Sequence, residues 1–136
     1  MKPMLRTPPM LALLVLAGLL ACSDSPTSPG VQPQITNLTD DFAYQVTGVQ
    51  NYSSTDSYGW QNTGTDATVD HSTSLTGGSA TLIILDATGT QVYSRPLDQS
   101  GSFATATGTA GSWTIRIVYS STTSPAVNFR VQKATP

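Results

Sequence analysis

The sequence predicts an all-β protein: a single antiparallel β-sandwich of about seven to nine strands over residues 35–136, behind an export signal and a flexible tether. Three observations predict it. From Ile35 onward apolar side chains recur at every second position, the period of a strand with one buried face. Turn residues interrupt that alternation at the short spacing of a sandwich. Composition agrees: Ser and Thr supply 36 of the 115 residues after position 21, Glu is absent and Lys occurs there once, so helix formers are scarce.

The first element is the N-terminal segment 1–21. Lys2 and Arg6 are its only charges, and Met10 to Leu20 follows without a polar side chain. A bilayer span takes roughly 20 apolar residues, so these eleven fit the h-region of a signal peptide rather than a membrane helix. Directly behind them stands Cys22, the one cysteine of the chain. An unpaired thiol in an oxidising compartment needs a reason.

Leu19-Leu20-Ala21-Cys22 resembles the lipobox of bacterial lipoproteins, in which small residues precede a cysteine that becomes the lipidated first residue. Leu20 is bulkier than that pattern usually has. The resemblance implies acylation of Cys22, a palmitate-like lipid anchor in the membrane and no transmembrane helix. Two or three acyl chains make anchoring effectively permanent where one does not. Ser23 lacks the Asp that, by the family's rule, retains lipoproteins at an inner membrane, which implies the cell outer membrane as the destination.

Residues 22–34 form the second element. Its prolines block helix and ladder hydrogen bonds, and it has almost nothing to bury, so it reads as a tether. The twelve residues after the cysteine reach on the order of 35 Å if extended at about 3.1 Å each. With 1–21 removed, eight Asp face Arg95, Arg116, Arg130 and Lys133, a formal charge of −4, which disfavours nucleic acid and anionic lipid surfaces as partners.

The strands come next. Phe42, Tyr44 and Val46 share one face, with a bend expected at Gly48; Tyr58 and Trp60 share a face of a second strand, and Ala67, Val69 and His71 a face of a third. Thr81 to Leu85 is apolar on both faces, as a central strand is, and Asp86-Ala-Thr-Gly-Thr90 reads as a hairpin turn leading to Val92 and Tyr93. Trp113, Ile115, Ile117 and Tyr119 form one amphipathic strand, and Val127, Phe129 and Val131 another. Gly78-Ser-Ala-Thr-Leu-Ile-Ile84 is echoed by Gly111-Ser-Trp-Thr-Ile-Arg-Ile117, read as two strands that each enter the core after a Gly-Ser turn.

From Gly78 to Lys133, the apolar strand, the Asp-x-x-Gly turn, the Gly111-x-Trp113-x-Ile115-x-Ile117 run and the closing Phe129-Arg-Val131 resemble the small jelly-roll-type accessory domains that follow secreted bacterial peptidases. That resemblance implies a sandwich, jelly-roll or immunoglobulin-like, without catalysis of its own.

Residues for chemistry are few. His71 is the only histidine, no Gly-x-Ser-x-Gly elbow marks a nucleophile, and Asp70, its neighbour on a strand, points to the opposite face. A small hydrolase using His71 is therefore a remote alternative, and the protein is expected not to be an enzyme. With Cys22 acylated, only His71 and aspartates remain as zinc ligands, too few for a site. Calcium takes oxygen ligands alone, and Asp40, Asp41, Asp56, Asp66, Asp70, Asp86 and Asp98 fall in or near predicted turns; no Asp-x-Asp-x-Asp loop joins them, and no metal or other cofactor is expected.

Binding is the class that remains. Seven Tyr and Trp residues on a Ser/Thr/Asn-rich chain suit sugars or peptides. Trp113 is expected in the core. Trp60 and Tyr58, among Gly59, Gln61 and Asn62, are the candidate ligand-binding pair, with burial in the core as the competing reading. The expectation is an outer-membrane-anchored lipoprotein with a non-catalytic binding or structural role toward a glycan or envelope protein. A carbohydrate-binding accessory module is the alternative, distinguished by an exposed aromatic strip; full burial of the aromatics favours the generic envelope domain.

Overall fold

A computed structural model describes residues 31–134. The expected signal peptide, Cys22 and all but the last four residues of the expected tether lie outside the described residues. Of those four, Val31 packs against the core and Gln34 already begins a strand.

Two long strands organise everything else. β2 (Asp41–Asn62) and β7 (Gly111–Lys133) pair antiparallel from Asp41↔Gln132 to Asn62↔Gly111. Five shorter strands join them: β1 (Gln34–Leu38) on β2, β3 (Ala67–His71) and β4 (Gly77–Leu85) on β7, β5 (Gln91–Pro96) on β4, and β6 (Gly101–Ala104) on β3. The result is a seven-stranded antiparallel sheet, at the lower end of the expected strand number. The order β1-β2-β7-β3-β6 uses the first half of β2 and the second half of β7. β4 and β5 attach beside the first half of β7.

The ribbon bends in its middle, which turns one sheet into the two layers of a sandwich. Register shifts interrupt the β2–β7 ladder between Val49 and Ser54. Gly48 (φ 67°) and Asn51 (φ 46°) on one strand and Ser121 (φ 45°) on the other take left-handed backbone there. Pro125, which has no N–H to donate, also falls at this bend. Gly78 shows how tight the fold-over is: a Cβ there would lie 2.0 Å from the Ser121 carbonyl oxygen, and its φ is 68°. Thr122 and Ser124 are buried at the bend, their hydroxyls donating to the carbonyls of Ser79 (2.5 Å) and Ser74.

The sequence therefore splits each long strand in two where the molecule does not. The runs at 42–46 and 58–60 are one β2, and those at 113–119 and 127–131 are one β7, because the bulges bend the strands without breaking the ladder. Two further readings match. β4 is central and flanked on both sides, and the Asp86–Thr90 turn closes its hairpin with β5. Val92 and Tyr93, adjacent yet both buried, face a register shift between Ile84 and Leu85.

The core lies between the layers and takes the predicted inward residues of β2, β3, β4 and β7. Contacts across it include Phe42 to Tyr58 (ring centroids 5.9 Å apart), the Tyr44 and Tyr119 hydroxyls (2.5 Å) and Trp60 Nε1 donating to the Leu38 carbonyl (3.0 Å). At the β1–β2 turn, Asp40 (φ 67°) fastens three segments. Its carboxylate accepts from the Thr63 N–H and hydroxyl and pairs with Lys133 at 3.6 Å, and its carbonyl accepts the Lys133 N–H. Those bonds, the Thr63 N–H foremost, lower its pKa.

Candidate functional site

The candidate pair Trp60 and Tyr58 does share one face of β2, but that face is the inner one. Their register partners, Trp113 and Ile115, are both fully buried. Trp60 is 1% exposed and meets Trp113 edge-on at 5.9 Å, so it is a core residue and not a surface platform. Its polar neighbours misled: Gly59 and Gln61 belong to the outer face, and Asn62, itself buried, accepts the Gly64 N–H to turn the chain. Trp113 is in the core as expected, its N–H donating to the Thr109 carbonyl at 2.7 Å.

Tyr58 is half-buried, its ring 6.0 Å from that of Tyr44, and it belongs to a larger group. Tyr52, Ser54, Asp56 and Tyr58 alternate along the inner face of the second half of β2, all of them half-buried. This half pairs with β7 on one side and with no strand on the other among the described residues, so its inner face opens at the flank of the sandwich. Asp56 accepts hydrogen bonds from the Ser54 hydroxyl (2.8 Å) and the Tyr52 hydroxyl (3.3 Å). The Tyr52 ring stands edge-on to Tyr119 at 4.9 Å, and Tyr119 bonds Tyr44 behind it. Burial first, with the Asp56 charge adding to it, pushes the hydroxyls of Tyr44, Tyr58 and Tyr119 upward in pKa, so all three stay neutral. Sequence reasoning placed Asp56 at a turn; it is a mid-strand residue facing inward.

His71 is not at the surface either. It is 4% exposed, its Nε2 lies 2.8 Å from the Tyr93 hydroxyl in the opposite layer, and its ring meets Phe103 at 5.3 Å. Nδ1 is buried without a partner. Burial disfavours the imidazolium and lowers the pKa despite the nearby backbone of Gln99 and Pro96. No serine or carboxylate bonds His71 among the described residues, and exposed Asp70 is paired in register with Arg130.

Asp41 and Asp86 have structural work. Asp41 forms a bidentate pair with Arg130 at 2.9 and 2.8 Å. Asp86 accepts from the Thr88 N–H and hydroxyl, the Thr90 N–H and the Thr109 N–H, and these donors, the Thr88 hydroxyl first, hold its pKa at about 2. No group of three or more His, Cys, Asp or Glu converges among the described residues.

A second surface feature is β1. All five of its residues are exposed, Ile35 and Leu38 (60%) among them, and two shallow hollows of about 190 and 170 Å³ flank it, lined largely by Gln34, Gln45, Thr47 and Asn128. No family model matches the chain, and no curated protein matches it.

Proposed function

We propose that this protein is an outer-membrane-anchored lipoprotein whose non-catalytic β-sandwich has a binding or structural role at the cell envelope. The observation that carries the reading is the single cysteine, Cys22, set directly behind an eleven-residue apolar run and ahead of a proline-rich segment. The interior supports the non-catalytic part: the one histidine bonds a tyrosine between the layers, and among the described residues no serine or carboxylate hydrogen-bonds it. The sugar-module alternative needs an exposed aromatic strip, and both tryptophans are core residues.

Cys22→Ser tests the anchor. The wild-type chain should fractionate with membranes and carry diacylglyceryl and acyl mass on its N-terminal peptide. The variant should be released or left unprocessed, with the same unfolding transition. A wild-type protein without lipid mass, or a variant still held on membranes after high-salt washing, would overturn the anchor.

A further inference from the structure

We propose that the flank of the sandwich at Tyr52, Asp56 and Tyr58 is a binding site for a primary ammonium group, carried by a small organic amine or by a lysine side chain. The proposal rests on the binding role given above and not on the lipid anchor.

Position is the first argument. The register partner of Asp56 is the fully buried Ile117, so the carboxylate points toward the interior, and because the strand is an edge it is only half-buried. A charged inward position at a strand edge leaves the carboxylate within reach of solvent.

Charge is the second. The ion pairs of the described residues are Arg130 with Asp41 and Lys133 with Asp40. Arg95 lies over the Phe103 ring at 4.1 Å and bonds Gln99, and Arg116 bonds Ser57 on the outer face. None of the four bases neutralises Asp56. The Ser54 and Tyr52 hydroxyls take one lone pair on each carboxylate oxygen and leave the others, and the charge, in surroundings where a charge interacts more strongly than in water.

The third argument is the wall. Tyr52 and Tyr58 are half-exposed rings backed by Tyr119 and Tyr44, and aromatic faces attract cations. Carboxylate, rings and hydroxyl oxygens together are complementary to a cation that also donates hydrogen bonds. An ammonium offers three donors in a compact head with an apolar stem to lie on the rings. A guanidinium prefers both carboxylate oxygens free for a fork, and here each already accepts a hydroxyl. A quaternary ammonium has no N–H to give.

The test is a titration of the ¹⁵N-labelled full chain in detergent, following the amides of residues 52–58, with n-butylammonium, with Nα-acetyl-lysine methylamide, and with 1-pentanol as neutral control. A saturable response to butylammonium alone supports the site with a small amine as its source; a response to both amines supports it with a polypeptide source. Asp56→Asn should weaken binding about tenfold or more, the loss expected for a charged hydrogen bond. Tyr52→Phe should weaken it less, added salt should weaken it in the wild type, and Asp41→Asn should leave it unchanged. The proposal fails if neither amine saturates, if 1-pentanol acts like the amines, or if folded Asp56→Asn binds as tightly as wild type. A lipid-free but amine-binding protein would refute the anchor alone, and an anchored protein blind to both amines would refute this site alone.

Discussion

Trp60→Ala is the substitution that most directly tests where β2 puts its aromatic residues. An indole buries on the order of 200 Å², which at ~25 cal/mol per Å² is about 5 kcal/mol of transfer free energy. A compact denatured state reduces that figure by roughly a tenth to two-fifths. Trp60 also meets Trp113 edge-on and donates to the Leu38 carbonyl, so truncation loses an aromatic pair of about 0.5–1.5 kcal/mol and leaves a carbonyl without that donor. The net expectation is a loss of about 3–5 kcal/mol, a large part of a usual total of about 5–15. In a domain of this size that lowers the melting temperature by on the order of 15 °C. Trp60→Phe keeps most of the ring and should cost about 1–2 kcal/mol. Urea and thermal unfolding of both variants, with Trp113→Ala and the double mutant, measure the cost and the coupling of the pair. If Trp60→Ala unfolds within about 1 kcal/mol of wild type, the indole is not in the core and the surface-platform reading returns.

Other outcomes follow from single sites. Gly78→Ala should destabilise the domain strongly, since its φ is left-handed and its Cβ would collide with the Ser121 carbonyl; a melting temperature equal to wild type would show that the bend is looser than described. His71 has its pKa lowered by burial, so the unfolded chain binds its proton first: stability is full above about pH 6.5 and falls as pH drops through that value, and His71→Phe should flatten this slope in melts recorded across it. Asp86 has its pKa lowered to about 2, so its contribution is present above the ordinary carboxylate value of 3.8 and is lost as pH falls toward 2; acid titrations should show this step in the wild type and not in Asp86→Ala.

Period-two alternation made the inward faces legible: Phe42, Tyr44 and Val46, Ala67 and Val69, and Trp113 to Tyr119 all point where their spacing predicts. Continuity through the bend was not legible. Gly48, Asn51 and Ser121 look like ends of strands, and only pairing with a partner 70 residues away, such as Tyr52↔Thr122, keeps the ladder intact. At β1 the alternation read from Ile35 onward does not mark a buried face: all five residues are exposed, Ile35 and Leu38 included, because the strand only edges β2. β6 is four residues long and half-buries only Phe103. The candidate site was half visible. Tyr58 was singled out for its polar surroundings, but Asp56 was assigned to a turn by residue type, and its inward placement depends on the register with Ile117, a tertiary fact. Trp60 was open between platform and core for the converse reason: its sequence neighbours are polar, and its neighbours in space are not.

The dependence of β2, β3 and β4 on β7 also bears on the protein's birth. Without residues 111–133, the native ladders left among the described residues are the β1–β2 and β4–β5 hairpins and the short β3–β6 pair, none of which closes a core. Contacts between segments this distant in sequence form slowly, and here every layer waits for the same late segment. A chain that lacks this segment holds only weak hairpins, and adding it supplies the shared partner of β2, β3 and β4 on both layers.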